Sequence, residues 1–302
     1  MSDIFQTAAL LGEVFPNGHI SQPEYLKWLY KQSPFGPVIE ANLDDAHGRA
    51  GHYALVPIVL TRDGVDYNGA LSLNTAVHKR ARGGGTFVQL ASETIAVARR
   101  LGIEMVVGVA NANSTPGFLR YLDFDLLTSL PANVMLPTPG SRGGIRSGWV
   151  NATAFAPGGL AAELESLLTS SRFGQVRRWT PRTLHWRLSR PGARYALHRC
   201  DDALAVSCED QRHGIRVAIL LKVFAAKQIA PSTRRALVRA ACRFHHAPIA
   251  LHVGLNDLVD FRGMALPKRL RDSPLNLICR SLGDEIRPVS IVRFEFLDFD
   301  AY

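Results

Sequence analysis

The passage Val77-His78-Lys79-Arg80-Ala81-Arg82-Gly83-Gly84-Gly85-Thr86-Phe87 holds the strongest candidate site in the chain. It reads as the end of a strand, three glycines that let bare backbone approach a ligand, and the start of a helix. First-turn N–H groups of a helix have no partner inside it, and the helix dipole adds partial positive charge there. That combination binds phosphate, and Arg80 and Arg82 add full charge beside it. A dinucleotide fold calls for GxGxxG with an acidic residue about 20 positions on, and a P-loop calls for GxxxxGKS/T. Neither pattern is present. The plain alternative is an ordinary glycine-rich turn.

Other residues could serve beside it. His52, in Gly51-His52-Tyr53, is a candidate general base because imidazole titrates near neutrality; a hydrogen-bonded structural histidine is the competing reading. His78 fits a cap on the glycine loop or a solvent-facing side chain. His245-His246 has no third ligand at a suitable spacing, so no metal site is expected. The aromatic run Tyr25-Leu26-Lys27-Trp28-Leu29-Tyr30, with Pro34-Phe35-Gly36 after it, could line an acceptor pocket, stacking Trp28 and Tyr30 on a sugar or base. It reads equally as an amphipathic helix and a turn, and Trp186 has the same two readings. Phe294 to Asp300 alternates apolar and acidic residues, which predicts an edge strand and not a carboxylate cluster. The four cysteines, Cys200, Cys208, Cys242 and Cys279, form no CxxC pair and read as free thiols in a reducing compartment.

The elements that must position these groups alternate strand and helix. Gly51 to Leu60 and Asp66 to Val77 predict a hairpin around Arg62-Asp63-Gly64. After the glycines, Phe87, Leu90, Ala91, Thr94, Ile95, Ala98 and Leu101 share one face of a helix from Thr86 to Leu101, with Gly102 at its end. Glu104 to Ala110 is a continuous apolar strand of the buried type. Strand, glycine turn, helix, strand is a crossover unit, so the two strands should be parallel. Residues 131–148 are rich in Pro, Gly and Ser and suit a linker or long loop; a short helix follows from Leu160 to Ser171. The order then recurs: strands Arg194–His198, Leu204–Cys208 and Gly214–Ala225, a helix from Ser232 to His245, and a buried strand Pro248–Leu255. This reads as a duplicated domain whose second copy has Ala226-Lys227-Gln228-Ile229-Ala230-Pro231 where the glycine run should stand.

Composition sets the frame. With 302 residues, 47% hydrophobic and 20% charged, the chain is of folded type, and its length predicts two domains. No apolar run approaches the roughly 20 residues that span a bilayer. Asp3 and Glu13 flank the short run Ala8-Ala9-Leu10-Leu11 without a basic segment before it, so no export signal is expected and a cytoplasmic protein is. Residues 1–150 hold 12 Lys+Arg against 12 Asp+Glu, so the whole net charge of +9 falls in the second half, mostly as arginine. A basic half attracts anions, and the arginine fork suits phosphates; an arginine-biased composition without function is the alternative.

Ser72 to Phe124 resembles the core of the GNAT acyl-CoA N-acyltransferases. That family carries a strand ending in Val, then Arg/Gln-x-x-Gly-x-Gly/Ala leading into a helix. Arg82-Gly83-Gly84-Gly85-Thr86-Phe87 is similar, with Phe87 in the last place. After the next strand the family has Asn and a helix ending in Gly-Phe. Asn111-Ala112-Asn113-Ser114-Thr115-Pro116-Gly117-Phe118, running on to Asp123-Phe124, resembles it, with Asp123 in place of the glycine. The two motifs cover about a fifth of the chain.

The resemblance implies acyl-CoA as co-substrate and no metal. Pantetheine amides would pair with backbone at Thr75, Ala76 and Val77, and the pyrophosphate would sit on Arg82, Gly83, Gly84, Gly85, Thr86 and Phe87. Asn113 would bond the pantetheine arm beside Phe118, and backbone N–H groups from Asn74 to Ala76 would stabilise the oxyanion. The family's tyrosine acid does not carry over, because Phe118 and Leu119 occupy its region and Tyr121 is out of phase.

The fold expected is therefore α/β, two GNAT-like domains in tandem (1–155 and 156–302), each a mixed, mostly antiparallel sheet flanked by helices, the second degenerate. Proteins of this type resemble N-acyltransferases of nucleotide-linked amino sugars for surface polysaccharides, which implies an anionic small-molecule acceptor and neither a membrane span nor nucleic acid. A FemAB-like transferase using aminoacyl-tRNA and a non-catalytic acyl-CoA-binding regulator are the competing expectations.

Overall fold

The computed structural model describes residues 3–16, 18–140, 144–151, 154–155, 160–167, 174–267, 273–283 and 291–302. Two helices open the chain, α1 (Ile4–Val14) and α2 (Pro23–Lys31). Their buried residues Leu10, Leu11, Leu26 and Leu29 pack on Ala54, Val56 and Ala76 of the sheet. Strands β1 (Ile39–Asp45), β2 (Gly48–Arg62) and β3 (Val65–Val77) form an antiparallel meander. The β-branched and aromatic content of β2 suits this pleated, buried setting.

The crossover is where periodicity placed it. Helix α3 (Thr86–Arg100) buries Leu90, Ala91, Thr94, Ile95 and Ala98, and β4 (Met105–Ala110) returns parallel to β3. Gly102 at φ +78 ends α3, with Ile103 N–H reaching back to Ala98 O at 3.0 Å, the Schellman arrangement that needs a left-handed residue there. Then follow α4 (Thr115–Tyr121), β5 (Asp125–Ser129), β6 (Ala132–Met135), β7 (Arg146–Trp149), α5 (Leu160–Leu167), β8 (Gln175–Arg177) and α6 (Pro181–Leu188). The second half repeats the unit: β9 (Ala196–Cys200), β10 (Ala203–Arg212) and β11 (Ile215–Ala225) are antiparallel, α7 (Pro231–Phe244) crosses over, and β12 (Ile249–Asn256) runs parallel to β11. Last come β13 (Met264–Ala265), β14 (Asn276–Ser281) and β15 (Ile291–Glu295).

The described strands form one sheet whose main path runs β5-β14-β4-β3-β2-β8-β15-β12-β11-β10-β9-β7, with β1 paired to β2, β6 to β12 and β13 to β6 off that path. The halves exchange strands: β14 lies antiparallel on β4, and β6 lies antiparallel on β12. One core cluster therefore takes Leu71 and Met105 together with Ile219 and Phe294.

Two expectations about elements change. Residues 131–148 are not simply a linker, because they contain β6 and β7; four-residue strands between prolines and glycines are too short to show a period. The run from Phe294 is no sheet edge. Its strand β15 lies between β8 and β12, and Glu295 and Asp298 are wholly buried because Lys222 Nζ stands 3.2 and 2.7 Å from them. The last residues of the helix expected from Leu160 to Ser171 lie outside the described residues.

Candidate active site

Strands β3 and β4 pair only from Gly69–Met105 to Ser72–Gly108 and then part. A bulge causes the bend. His52 faces Ala76 and Ala54 faces Leu73, so two residues of β3, Asn74 and Thr75, stand opposite Tyr53 alone. An extra residue bends and twists its strand. Asn74 takes the left-handed conformation this requires, at φ +53, which asparagine tolerates better than most side chains. Beyond Ser72 the β4-facing backbone groups of β3 have no strand partner among the described residues, so a polar edge opens inside the fold.

A cleft of about 640 Å³ occupies this opening. On one side stand Ser72 to Val77 with Val14, the last residue of α1, and Phe15 after it; on the other, Gly108, Val109, Asn111 and Asn113, joined by Leu275 and Ile278. Ala81, Arg82, Gly83, Gly85, Thr86 and Phe87 line it further, and Gly117 and Phe118 lie against Phe87 in the same wall. The Phe87 and Phe118 rings meet edge to face at 5.1 Å. A Cβ on Gly117 would come within 2.9 Å of the Phe87 ring.

The glycine turn has the chemistry of an anion cradle. Gly83 and Gly85 hold φ of +93 and +77, the second as N-cap of α3. Among the described residues no backbone carbonyl accepts the N–H of Gly83, Gly84 or Gly85. Thr86 Oγ1 donates to Ala81 O at 2.8 Å, which ties the turn shut. Arg82 Nε donates to Val77 O at 3.0 Å, and its guanidinium has no acidic partner among the described residues. Arg80 differs from expectation. It is bound to Asp45, Nε to Oδ2 at 2.7 Å, and to the carbonyl of Arg49, so its charge is already compensated. His78 caps the turn, its Nδ1 accepting from Arg80 N–H at 3.1 Å, and also lies 3.1 Å from Glu13.

Across the cleft, Asn111 Oδ1 accepts from the N–H groups of Asn113 and Ser114 at 3.0 and 2.9 Å. This turn leaves the Asn113 side chain exposed at the cleft rim. Tyr121 is 64% exposed and does not line the cleft, while Phe118 is buried.

Of the expected residues, Asn74, Thr75, Ala76, Val77, Arg82, Gly83, Gly85, Thr86, Phe87, Asn113 and Phe118 line one cleft; Gly84 lies in the same turn without lining it. Four others do not reach it. His52 is fully enclosed, with Nδ1 2.7 Å from Asn42 Oδ1 and Nε2 2.9 Å from the Tyr30 hydroxyl. Burial, with Arg49 adding to it, pushes its pKa down to about 3, so at neutral pH it is an uncharged imidazole behind the wall. The role of a base touching the amine is withdrawn from it. Trp28 and Trp186 stack on each other at 4.6 Å, with Trp28 Nε1 donating to Trp186 O. They pack α2 against α6, and neither lines the cleft. Tyr30 is wholly buried beneath Asn74.

Ser72, Gly108, Asn111, Val14, Phe15, Leu275 and Ile278 were missed. Gly108 carried a signal, a glycine inside an apolar strand. Leu275 and Ile278 come from or beside β14, which no local pattern ties to β4.

The second half has the same strand arrangement without the opening. Pairing of β11 with β12 ends at Leu220–His252, yet Val223 N–H donates to Glu295 Oε1 at 3.3 Å and Asn256 Nδ2 donates to Val223 O at 3.0 Å. Glu295 also accepts from His252 and Lys222 at 2.9 and 3.2 Å. Burial alone would raise the Glu295 pKa; Lys222 and His252 outweigh it and hold the carboxyl below its usual range. No group of His, Cys, Asp and Glu suited to a metal occurs among the described residues, and no described helix is long and apolar enough to cross a membrane.

No family model and no curated protein matches the sequence. Solved structures do match the fold. A GCN5-related N-acetyltransferase from Anabaena variabilis superposes with a TM-score of 0.63 at 10% identity, over 92% of this chain and 70% of that one. One from Kribbella flavida gives 0.61 at 13%, over 91% and 68%. Saccharomyces cerevisiae N-myristoyltransferase with bound myristoyl-CoA gives 0.58 at 11%, over 91% and 78%. The chain has the GNAT fold.

Proposed function

We propose that this chain is an acyl-CoA-dependent N-acyltransferase. The observation that carries the reading is the β3–β4 opening. It joins a strand edge that β4 leaves unpaired to a glycine turn whose N–H groups, among the described residues, meet no backbone carbonyl, and to the guanidinium of Arg82, which has no acidic partner among them. Such an edge suits the amides of a pantetheine arm, and the turn suits its diphosphate. The structural neighbours support the donor class, since one is described with myristoyl-CoA bound.

The chain's own part in the chemistry follows from this placement. Backbone N–H groups from Asn74 to Ala76, bent into the opening by the bulge, are aimed where a thioester oxygen gathers negative charge as an amine adds. The amine must shed a proton, and with His52 enclosed that proton leaves by water in the open cleft. The thiolate departs to solvent without a side-chain acid, since no tyrosine of α4 faces the cleft.

The acceptor in this reading is a primary amine on an anionic small molecule, a nucleotide-linked amino sugar. Its support is the +9 charge carried by residues 151–302. The four cysteines are all free, which suits a reducing cytoplasm. The domain division at residue 155 belongs to the same reading, with the second copy lending charge and not a second donor slot. Calorimetry with CoA tests the donor site, and thiol release from acetyl-CoA with a panel of amino-sugar nucleotides tests the reaction. Absence of CoA binding refutes the reading; binding without thiol release favours the regulatory alternative.

A further inference from the structure

Beneath the bulge, side chains from three elements form a hydrogen-bonded row with one end in the cleft. Asn74 Nδ2 donates to the Tyr30 hydroxyl oxygen at 3.1 Å, that hydroxyl lies 2.9 Å from His52 Nε2, and His52 Nδ1 lies 2.7 Å from Asn42 Oδ1. Glu40 Oε2 stands 3.6 Å from the same Nδ1, buried and with no hydrogen-bond partner of its own among the described residues. Tyr30 and His52 are 0% exposed, so no water competes for these groups.

The direction of each bond follows from the far end. A carboxylate only accepts. With Glu40 and the Asn42 carbonyl both converging on Nδ1, that nitrogen carries the imidazole proton. Neutral imidazole has one ring N–H, so Nε2 accepts and the Tyr30 O–H donates to it. The phenol oxygen is then left to accept from Asn74 Nδ2. This holds the Asn74 amide nitrogen inward. Its Oδ1 takes no hydrogen bond from the described residues, is not buried, and belongs to a residue lining the cleft.

A fixed acceptor oxygen beside the bulge repels a developing oxyanion and attracts an N–H. We propose that Tyr30, oriented by His52 and Glu40, is a positioning residue that holds Asn74 Oδ1 as the hydrogen-bond acceptor for the incoming amine. This rests on the N-acyltransferase reading above. The backbone of the bulge thus meets the thioester oxygen while the side chain of the same residue meets the nucleophile. Neither group can take the other's place, because one only donates and the other, with its nitrogen engaged, only accepts.

Two measurements test the proposal. The first needs no acceptor: two-bond 1H–15N spectra of the labelled full chain report the His52 tautomer. The Nδ1–H form is expected from pH 8 to pH 5, and an Nε2–H form overturns the relay. The second is thiol release from acetyl-CoA with amino-sugar nucleotides and simple primary amines. Asn74→Gly, which removes the side chain and keeps the left-handed bulge, should raise the amine KM about tenfold, the equivalent of one hydrogen bond, with CoA affinity by calorimetry within about twofold. Tyr30→Phe should raise the amine KM in the same direction, because the Asn74 amide is then free to turn. An amine KM unchanged in both variants, or CoA affinity falling in step with it, overturns the proposal. If the wild-type chain binds no CoA, the donor reading fails on its own account, and the tautomer still decides the relay.

Discussion

Acidification from pH 7 to pH 5 should destabilise this fold by about 2 kcal/mol for each of two histidines. His52 and His198 are both fully buried and neutral, with burial as the main cause of pKa values pushed down to about 3; Arg49 adds to the first and His245 to the second. In the unfolded chain an imidazole titrates near 6.5. Below that value the unfolded state binds a proton that the folded state refuses. The stability these groups contribute is therefore complete above pH 6.5 and is lost as pH falls toward about 3. At pH 5 the unfolded imidazole is about 1.5 pH units into its titration, which gives about 2 kcal/mol per site. The figure holds as long as the folded value lies below about 4. For a chain of this length it amounts to roughly 3 °C of Tm per histidine. The assay is calorimetric melting at matched ionic strength at pH 7, 6 and 5, for wild type, His52→Gln and His198→Gln. Each single variant should remove about 2 kcal/mol of the pH-dependent drop, to which His19, pushed down to about 4, and His245, lowered by burial, add shares of their own. A Tm that stays level from pH 7 to pH 5, or variants with the wild-type slope, would refute the argument, since it would mean the imidazoles can charge in place.

Two further outcomes follow from named contacts. Arg82→Ala should weaken CoA binding by about tenfold to a hundredfold with little change in Tm, because a charge-assisted bond to phosphate contributes about 1.5–3 kcal/mol and Arg82 has no acidic partner among the described residues to leave stranded; calorimetry at two salt concentrations checks it. Glu295→Gln should lower urea stability by about 3–5 kcal/mol, since it strips a buried carboxylate from Lys222 and His252. With the Glu295 pKa held below its ordinary value, the wild-type contribution is complete above about pH 4.5 and lost as pH falls through the lowered value. Comparing the wild type and the variant at pH 7 and pH 4 checks that sign.

Local signals were legible and long-range ones were not. The turn from Val77 to Phe87 could be read because strand end, glycines and helix face lie within one short window, and α3 starts at the expected Thr86. Asn74 was picked out for its backbone, yet its side chain depends on Tyr30, 44 residues earlier. His52 looked like a base because its type and strand position are visible in sequence, whereas its enclosure by α2 and β1 is not. Trp28 and Trp186 each looked like a platform for a sugar because neither sequence context shows that the other tryptophan covers it. Leu275 and Ile278 join the cleft wall through β14, a strand exchange that no propensity encodes.

The contrast between the two crossover units bears on why one chain would keep both. In each, a hairpin strand runs parallel to a returning strand for four residue pairs and then parts from it. Parting strands release backbone donors and acceptors that must find partners or water. In the second half Glu295 and Asn256 take those groups, and Lys222 neutralises the carboxylate that does so. That closure is internal to the fold and cannot yield to a ligand without stranding a buried charge. In the first half no described strand or carboxylate takes the corresponding groups past Ser72, Arg82 Nε reaching only Val77 O at the far end, and the opening meets the glycine turn directly. The same topology therefore yields a rigid plug in one half and a ligand-shaped gap in the other. The difference traces to β15, which supplies Glu295 to the second opening, while β14 and the residue before it bring only Ile278 and Leu275 to the first.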